Sequence, residues 1–364
     1  MTHYLLAGGG TAGHVNPLLA LADHIRANEP GAQITVLGTE EGLESQLVPQ
    51  RGFRLEKIQR LPFPRKPSLY ALKFPFLYRI SVAAVRRLIS SEKVDVVVGF
   101  GGYVSAPAYD AARAEGVPYV IHEANALPGL SNRRAARRAA AVAITFESTK
   151  LPNAVLTGMP LRSEIRSTIS SHDKAKARAH FGLDPDIVTL LVTGGSLGAK
   201  KLNDTIYKSR KQLLLAGIQV LHILGNRSDI EPGHDKNYLR LQYCDRMDLA
   251  IACADFAVSR AGAATVSEFA AFGLPAVYVP YAVGNGEQAL NAEALVAAGG
   301  GVLVHDSDFT TSFVSSDLIP LVSDSRGMKT MSEAAKSMAI TDGTERLYSL
   351  VKSVLKRRVP TDPV

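Results

Sequence analysis

The sequence predicts an α/β protein of two Rossmann-like parallel-sheet domains that face each other across a cleft. The prediction rests on a strand-turn-helix pattern that occurs twice, at residues 4–14 and 190–198. Each copy is an apolar run that ends in Gly-Gly-Thr-x-Gly or Gly-Gly-Ser-x-Gly and precedes residues with helical spacing. Glycine permits positive φ and close approach of backbone N–H groups, and a helix N-terminus attracts anions. Both copies are therefore predicted phosphate-binding loops.

The composition is that of an ordinary globular protein with room for two cores. The chain has 364 residues, of which 46% are hydrophobic and 21% charged. Two cysteines, Cys244 and Cys253, support neither a disulfide framework nor a structural zinc site, so we expect a cytoplasmic protein. No signal peptide and no membrane span are predicted. The net charge of +7 suits an anionic partner, whether nucleic acid, membrane surface or phosphorylated substrate.

The first half alternates strands and helices. After the first loop we expect a helix at 15–27, a strand at 34–38, a strand at 94–99, a helix at 106–115 and a strand at 117–121. A glycine-rich turn at 99–103 and the run His122-Glu123-Ala124-Asn125 follow two of these strands. Ligands of open parallel sheets bind beyond the carboxyl ends of the strands. Both clusters are therefore expected at the same crevice as the first loop.

The first loop also fits a nicotinamide-dinucleotide fingerprint. Gly8, Gly10 and Gly13 match Gly-x-Gly-x-x-Gly, and the acidic residues Glu40 and Glu41 follow the second strand. This alternative predicts a dehydrogenase, but it leaves the second glycine loop unexplained.

Residues 60–90 have a different character from the rest of the first half. Proline, aromatic and aliphatic residues are interleaved there with lysine and arginine. This composition fits a surface that enters a lipid headgroup layer, and equally a loop and helix packed on their own sheet. If the segment docks on a membrane, polar replacements of Phe74, Phe76 and Leu77 should release the protein from anionic vesicles.

The second half presents donors for a diphosphate. Ser196, the N–H groups of residues 195–198, Arg162 and the helix start at 262–265 are all predicted at one pocket, where Glu268 and Gln288 could bind sugar hydroxyls. No Asp-x-Asp or histidine-rich cluster accompanies them. Backbone dipoles and arginine would then meet the phosphate charge, so we expect no metal site and no obligatory cofactor.

Seven motifs occur in an order that resembles the GT-B glycosyltransferases. They are Gly-Gly-Thr-x-Gly-His (9–14), Gly-Gly-Tyr-Val-Ser-x-Pro (101–107), His-Glu-x-Asn (122–125), Gly-x-Pro-x-Arg (158–162), Gly-Gly-Ser-x-Gly-Ala (194–199), Arg-x-Gly-Ala-x-Thr-Val-Ser-Glu (260–268) and Gln288 with Asn291. Within that family the chain is most similar to enzymes that move N-acetylglucosamine from UDP-N-acetylglucosamine onto lipid I, undecaprenyl-diphosphoryl-N-acetylmuramyl-pentapeptide. The product, lipid II, serves peptidoglycan synthesis and hence cell shape and division.

The resemblance implies a division of labour. Residues 1–160 would form the acceptor-binding, membrane-facing domain, with a C-terminal helix at 343–364 packed back on it, and residues 161–342 would bind the UDP-sugar. The acceptor diphosphate would lie near Gly9, Gly10, Gly101, Gly102 and Tyr103. The implied donor-binding residues are Thr11, Ala12, Gly13, Asn125, Arg162, Ser196, Cys244, Ala263, Ala264, Thr265, Val266, Ser267, Glu268, Gln288 and Asn291.

The implied reaction is a single inverting displacement at the anomeric carbon, with UDP leaving. The acceptor hydroxyl needs a base, and a histidine with a pKa near neutrality suits that task. We predict His14 as the base, with His122 and Glu123 as weaker candidates.

The resemblance also implies partners and a location. We expect a peripheral protein on the inner face of the cell membrane, with an anionic lipid surface contacting residues 60–90, no nucleic acid, and other cell-wall synthesis proteins as a further class of partner. Ala124, Met159 and Glu287 depart from the family pattern, which often has Gln, Asn and Gln there. The alternatives are a GT-B enzyme with a soluble acceptor, a UDP-N-acetylglucosamine 2-epimerase and a non-enzymatic UDP-sugar binding protein.

Overall fold

The computed structural model describes residues 1–64, 66–171, 173–281 and 286–358. The chain divides into two units, one comprising Met1–Arg162 and Asp342–Val364, the other Ser163–Thr341. Residues 65, 172, 282–285 and 359–364 lie outside the described residues. They include part of the 60–90 segment and the end of the helix expected at 343–364.

The first unit contains one parallel sheet with the strand order β3-β2-β1-β4-β5-β6-β7. The strands are β1 (His3–Ala7), β2 (Gln33–Gly38), β3 (Arg54–Lys57), β4 (Val96–Gly99), β5 (Tyr119–Glu123), β6 (Ala141–Ile144) and β7 (Ala154–Leu156). The helices are α1 (Ala12–Asn28), α2 (Glu44–Gln50), α3 (Leu69–Glu92), α4 (Ser105–Ala114) and α5 (Leu130–Ala135), and a 3₁₀ turn, Ala136–Arg138, follows α5. The chain reverses its direction of winding between β1 and β4, which is where open α/β sheets bind ligands.

The second unit repeats this plan with the strand order β10-β11-β9-β8-β12-β13-β14. Its strands are β8 (Val188–Thr193), β9 (Ile218–Ile223), β10 (Gly233–Asp235), β11 (Tyr238–Leu241), β12 (Phe256–Ser259), β13 (Ala276–Tyr278) and β14 (Gly301–Leu303). Its helices are α6 (Ser163–Ser171), α7 (Lys174–His180), α8 (Lys200–Leu215), α9 (Met247–Cys253), α10 (Ala263–Phe272), α11 (Glu287–Ala297), α12 (Thr311–Phe313), α13 (Ile319–Ser323) and α14 (Ser325–Ser337), with a π-helical segment, Val314–Leu318, between α12 and α13. Every strand pair is parallel except β10 with β11 at the sheet edge.

The last helix, α15 (Gly343–Arg358), packs on the first unit. Successive residues of a strand face opposite sides of its sheet, so β1 divides the core in two. Tyr4 and Leu6 pack with α1 and α15, including Leu347. Leu5 and Ala7 face the opposite side, where α3 and α4 pack. The central strand is thus buried on both faces, as a parallel strand requires.

The predicted fold class is confirmed, because each unit is a seven-stranded, almost wholly parallel sheet covered by helices. Element boundaries differ from the expected ones by one to three residues, most of all at the start of α1. Helix α1 begins at Ala12 and not at Val15, since the Thr11 carbonyl already accepts hydrogen bonds from the His14 and Val15 amides. Within the described residues, no helix combines the length and the apolar character needed to cross a bilayer.

Two glycine turns of the first unit touch at the carboxyl ends of β1 and β4. Gly102 has φ of +80°, and a Cβ atom there would lie 2.6 Å from the Gly9 carbonyl oxygen. A side chain at this position is excluded both by the backbone conformation and by the neighbouring loop.

A carboxylate joins α15 to the first unit. Glu29 Oε1 accepts hydrogen bonds from Tyr4 Oη at 2.7 Å, Tyr348 Oη at 2.7 Å and Lys352 Nζ at 2.9 Å. Burial alone would raise the pKa of Glu29, but the donors Tyr4, Lys352 and Tyr348 outweigh burial and hold this pKa below its usual value. The ionised carboxylate therefore stabilises the folded unit.

Replacing Gly102 by alanine should destabilise the protein by more than the cost of a left-handed alanine, about 1 kcal/mol. The matched control is Gly116→Ala, because Gly116 has φ of +68° but a Cβ atom there meets nothing within 4 Å. We expect Tm to fall clearly further for Gly102→Ala than for Gly116→Ala in thermal unfolding. Equal values for the two variants would contradict the close contact with Gly9.

Replacing Glu29 by glutamine should weaken the attachment of α15. At pH 7 we expect a loss of about 1 to 2 kcal/mol, or roughly 2 to 8 °C in Tm. Because the pKa of Glu29 is depressed in the folded state, its contribution is present above the unfolded pKa and disappears as the pH falls through the folded value. The difference from the parent protein should therefore shrink below roughly pH 4.

Thermal unfolding of both proteins at pH 7 and at acid pH measures this, with Glu147→Gln as the control at an exposed carboxylate. A Glu29→Gln deficit that stays constant with pH would show that ionisation of Glu29 is not the source of the stabilisation.

Candidate active site

The first glycine loop connects β1 to α1 and borders an open pocket. Gly10 lies in this loop with φ of +90°, and its N–H group donates to Glu44 Oε2 at 2.8 Å. Helix α1 begins just beyond the loop, so its first amides have no acceptor within the helix. The pocket has an empty volume of about 330 Å³. It is lined by Gly9, Gly10, Thr39, Glu41, Gly42, Arg60, Tyr103 and Val104.

Three of the five predicted acceptor residues, Gly9, Gly10 and Tyr103, line this pocket. The other two, Gly101 and Gly102, form the turn against Gly9, and both have positive φ. The structure thus brings all five together in the first unit. It also adds Arg60, whose guanidinium lies 5.5 Å from the centroid of the Tyr103 ring. No motif marked Arg60, because it stands alone before the proline-rich run.

His14 lies in the first turn of α1, beside the loop. Its Nδ1 atom is 3.1 Å from the Gly9 carbonyl oxygen and 3.3 Å from Thr11 Oγ1. A carbonyl oxygen only accepts, so Nδ1 carries the ring proton and Nε2 keeps its lone pair. Dense packing lowers the pKa of His14, while the charge of Glu123, the Gly9 carbonyl and the charge of Glu44 oppose that shift. A neutral, partly exposed imidazole with a free Nε2 has the form that a general base requires.

His122 and Glu123, the weaker base candidates, are both buried at the end of β5. Burial lowers the pKa of His122 to about 4, and its Nε2 atom lies 3.2 Å from the Gly158 carbonyl oxygen. Glu123 accepts from the Asn125 amide at 2.9 Å, the Gly129 amide at 3.0 Å and Asn132 Nδ2 at 2.9 Å. These contacts favour structural roles, in which Glu123 shapes the 124–129 loop.

The other predicted donor-binding residues of the first unit lie in three different places. These residues are Thr11, Ala12, Gly13, Asn125 and Arg162. The first three form the start of α1 beside His14. Asn125 is half-buried, and its carbonyl oxygen accepts from Thr149 Oγ1 at 3.1 Å. Arg162 is half-buried at the last residue before the second unit.

The second glycine loop connects β8 to α8 and is held by backbone hydrogen bonds, two of them from the segment that follows β9. Gly198 donates to the Gly195 carbonyl at 2.9 Å, and the amides of Asn226 and Arg227 donate to the carbonyls of Ser196 and Leu197 at 3.0 and 3.2 Å. Ser196 is half-buried at the loop.

The start of α10 lies beyond β12, and β12 pairs with β8 in the sheet. It carries the predicted run from Ala263 to Glu268. In this run Ala264, Thr265 and Ser267 are partly exposed, whereas Ala263, Val266 and Glu268 are buried. The carboxyl ends of neighbouring parallel strands meet at one edge of the sheet, so the Ser196 loop and the start of α10 share that edge.

Three further donor candidates have defined contacts in the second unit. Gln288 Oε1 accepts from the Tyr281 amide at 2.9 Å. Asn291 is buried, and its Nδ2 atom donates to the Ala261 carbonyl at 3.2 Å, which favours a role in holding the segment before α10. Cys244 is buried, and burial raises the pKa of its thiol to about 11. Because the thiol is buried and neutral, the backbone of Cys244 is the part of this residue that a ligand could contact.

The described residues contain no group of three or more His, Cys, Asp or Glu side chains placed to hold a metal ion. The candidate donors in the structure are backbone N–H groups at the starts of α1, α8 and α10, together with the arginines Arg60 and Arg162. Such groups can bind diphosphates and stabilise charge that develops during a reaction.

Solved structures share this architecture. MurG of Acinetobacter baumannii aligns over 97% of this chain and 100% of its own, with a TM-score of 0.78 and 27% identity. The calicheamicin glycosyltransferase CalG4 has a TM-score of 0.66 at 16% identity, covering 99% and 100% of the two chains. A putative UDP-N-acetylglucosamine 2-epimerase from Listeria monocytogenes has a TM-score of 0.69 at 11% identity, covering 100% and 99%. The last two likenesses concern the fold alone.

Relatives found by sequence share a higher identity with the chain than these solved structures do. A protein of Leifsonia xyli subsp. xyli is 54% identical over 98% of this chain and 99% of its own. A protein of Streptomyces coelicolor is 46% identical over 98% and 99%. Both are named UDP-N-acetylglucosamine–N-acetylmuramyl-(pentapeptide) pyrophosphoryl-undecaprenol N-acetylglucosamine transferase. Residues 4–144 match the glycosyltransferase family 28 N-terminal domain, and residues 189–347 match the glycosyltransferase family 28 C-terminal domain. The chain therefore belongs to glycosyltransferase family 28.

Proposed function

We propose that the chain transfers N-acetylglucosamine from UDP-N-acetylglucosamine to lipid I and so forms lipid II for peptidoglycan synthesis. The observation that carries this proposal is the 54% identity, over nearly the whole of both chains, to a transferase named for that donor and that acceptor. The two glycine loops add support, since each offers backbone donors suited to one of the two diphosphates in the reaction.

In the proposed mechanism, His14 Nε2 takes the proton of the acceptor hydroxyl as that oxygen attacks the anomeric carbon. The bond from that carbon to UDP breaks in the same step, and the configuration inverts. The Gly9 carbonyl holds Nδ1 and fixes the tautomer, and Gly101, which has no side chain, leaves the Nε2 edge open. Backbone donors near Ser196 and at the start of α10 would take up the charge that develops on the leaving diphosphate.

The assignment of ligands to units is part of the proposal. The pocket at Gly9, Gly10 and Tyr103 would receive the acceptor diphosphate, and Arg60 supplies a cation at its edge. The donor would bind at Ser196 and at the start of α10, with Arg162, Gln288 and the Cys244 backbone as further contacts. We propose that no divalent metal is obligatory.

We further propose that α3 docks on the inner face of an anionic membrane. Leu69, Leu72, Phe76 and Ile80 are 78%, 79%, 67% and 49% exposed, and their spacing places them on one face of the helix. Exposed cations, Lys73 and Arg79, accompany this stripe. Large exposed apolar side chains flanked by cations suit the boundary between headgroups and acyl chains.

The structure changes the choice of residues for a membrane test. Phe74 and Leu77, named with Phe76 on composition, are only partly exposed. The Phe74 ring packs against those of Phe63, Tyr70 and Tyr78, with centroids 5.5 to 6.0 Å apart. Replacing Phe74 would disturb this cluster as well as any lipid contact, so Leu72, Phe76 and Ile80 are the better probes.

The transferase proposal predicts that UDP release from UDP-N-acetylglucosamine depends on a short-chain lipid I analogue and yields a disaccharide product in the presence of EDTA. His14→Ala should lower kcat about 100- to 10,000-fold, the usual range for loss of a general base, with little change in the KM for UDP-N-acetylglucosamine. The control is His234→Ala at an exposed histidine of the second unit. Coupled UDP assays and mass spectrometry of the product measure both effects.

Each alternative predicts a different result in this assay. UDP release without acceptor would favour an epimerase or a hydrolase, and donor binding without any release would favour a binding protein. Activity only with a soluble aglycone would replace lipid I as the acceptor. Activity abolished by EDTA and restored by Mg²⁺ would overturn the proposal on metals.

The docking proposal predicts that replacing Leu72, Phe76 and Ile80 together by serine lowers affinity for phosphatidylglycerol vesicles at least about 10-fold, since each side chain loses on the order of 1 kcal/mol of apolar burial. Binding should also weaken as salt rises. Vesicle cosedimentation measures both effects.

The matched control for docking is Leu215→Ser, because Leu215 is 89% exposed but lies on α8 of the second unit. Turnover with a water-soluble acceptor should be retained in the triple variant, which separates docking from folding. Vesicle affinity equal to that of the parent protein would refute docking through α3.

A further inference from the structure

Glu44 is a fully buried carboxylate beneath the first glycine loop. It is the first residue of α2, and its side chain is 0% exposed. Its Oε1 atom accepts from the Thr39 amide at 2.9 Å and from Thr39 Oγ1 at 2.8 Å, and its Oε2 atom accepts from the Gly10 amide at 2.8 Å. No cation pairs with it among the described side chains. Hydrogen bonds from backbone and hydroxyl donors therefore stabilise this buried charge.

Three glycines pack so closely against the Glu44 side chain that a Cβ atom at any of them would clash with it. A Cβ atom at Gly9 would lie 2.7 Å from Glu44 Cδ, and one at Gly38 would lie 2.5 Å from Glu44 Cγ. A Cβ atom at Gly42 would overlap the carboxylate as well. Three glycines thus border this one side chain. Two of them, Gly9 and Gly38, directly precede Gly10 and Thr39, whose amides donate to the carboxylate.

A carboxylate is required here because donors face both of its oxygens. Glutamine has the same shape, but it has only one acceptor oxygen and one NH₂ group. If the oxygen faces Thr39, the NH₂ group faces the Gly10 amide, donor against donor. If the amide is turned over, its NH₂ group faces the Thr39 amide, again donor against donor, and only the Thr39 hydroxyl can turn to accept. Either orientation breaks part of the contact that holds the loop.

The first glycine loop links Glu44 to His14 through two hydrogen bonds. Glu44 holds Gly10, and the adjacent Gly9 carbonyl receives the His14 Nδ1 proton. The loop also rests against Gly102 on its other side. The groups that act electrostatically on His14 are Glu123 and Glu44, both acidic, and His122, which burial keeps neutral near pH 7. The two carboxylates raise the pKa of His14 against the effect of burial.

We propose that Glu44 is the positioning residue of the first glycine loop, whose carboxylate fixes the loop and its Gly9 carbonyl so that the His14 ring is held with Nε2 free for proton transfer. Glu44 touches neither substrate. Its bond to the Gly10 amide also withdraws that donor from any ligand, so Gly10 lines the acceptor site without donating from its backbone. The catalytic part of this inference rests on the proposed transferase function, and the structural part does not.

The test is Glu44→Gln, measured in two independent ways. We expect kcat to fall about 10- to 100-fold with the KM for UDP-N-acetylglucosamine unchanged within about 2-fold, since the second unit is untouched. Loss of the negative charge should lower the pKa of His14, so the acid limb of the kcat profile should move to lower pH. Glu40→Gln is the control, because Glu40 is 77% exposed and pairs with Lys57 on the surface.

The second measurement is an NMR titration of the His14 ring, assigned by its disappearance in His14→Gln. The His14 midpoint should fall in Glu44→Gln and stay in place in Glu40→Gln. This reading needs no turnover, so failure of the transferase proposal and failure of the Glu44 proposal are distinguishable. An unchanged midpoint together with an unchanged kcat would overturn the role of Glu44.

A second variant covers the case in which Glu44→Gln does not fold, as judged by circular dichroism and UDP binding. Thr39→Val removes one of the three donors and keeps the charge. We expect a smaller fall in kcat, about 3- to 10-fold, with UDP affinity retained. Parental kcat in a folded Thr39→Val protein would count against positioning through this network.

Discussion

The close contact between glycine turns at the carboxyl ends of β1 and β4 is the constraint on which the candidate site depends. Ala7 of β1 lies beside Gly99 of β4 in the sheet, so the segments that follow them leave the same edge together. Gly102 reaches the Gly9 carbonyl only because Gly102 has no side chain. This contact places the predicted acceptor residues and His14 in one place, although about 90 residues separate the two turns in the chain.

Strand order also explains why the predicted donor-binding residues of the second unit lie close together. Strand β8 lies between β9 and β12, and Thr193 lies beside Ser259 where β8 and β12 end. The Ser196 loop follows one strand and α10 follows the other. Strand order therefore explains why residues near 196 and near 265 form one candidate donor site, while the motifs themselves explain only which groups are presented there.

Much of this could be predicted from the sequence, because glycine loops after apolar strands are local signals. Both loops and the start of α10 were recognisable from the residues, and the family resemblance implied the C-terminal helix. The exposed face of α3 was not: composition named Phe74 and Leu77, but which side of an amphipathic helix packs depends on neighbours far along the chain. Glu44 gave no signal either, since a glutamate in the first turn of a helix usually serves the helix dipole in solvent. The hydrogen bond from Asn291 to the Ala261 carbonyl joins two distant segments and gave no sequence signal, while the predicted contact of Asn291 with the donor stays a prediction.

The two glycine loops are versions of one motif, and their differences indicate which of them supports proton transfer. The position of His14 in the first copy corresponds to Ala199 in the second, which is buried and has no titratable group. The first loop is held by the Glu44 carboxylate, whereas the second is held by neutral backbone hydrogen bonds to Ser196 and Leu197. The nearby Glu44 carboxylate raises the pKa of His14, whereas Ala199 in the second loop has no group for a carboxylate to act on. The supports of the two loops therefore fit a base at the first and a diphosphate leaving group at the second.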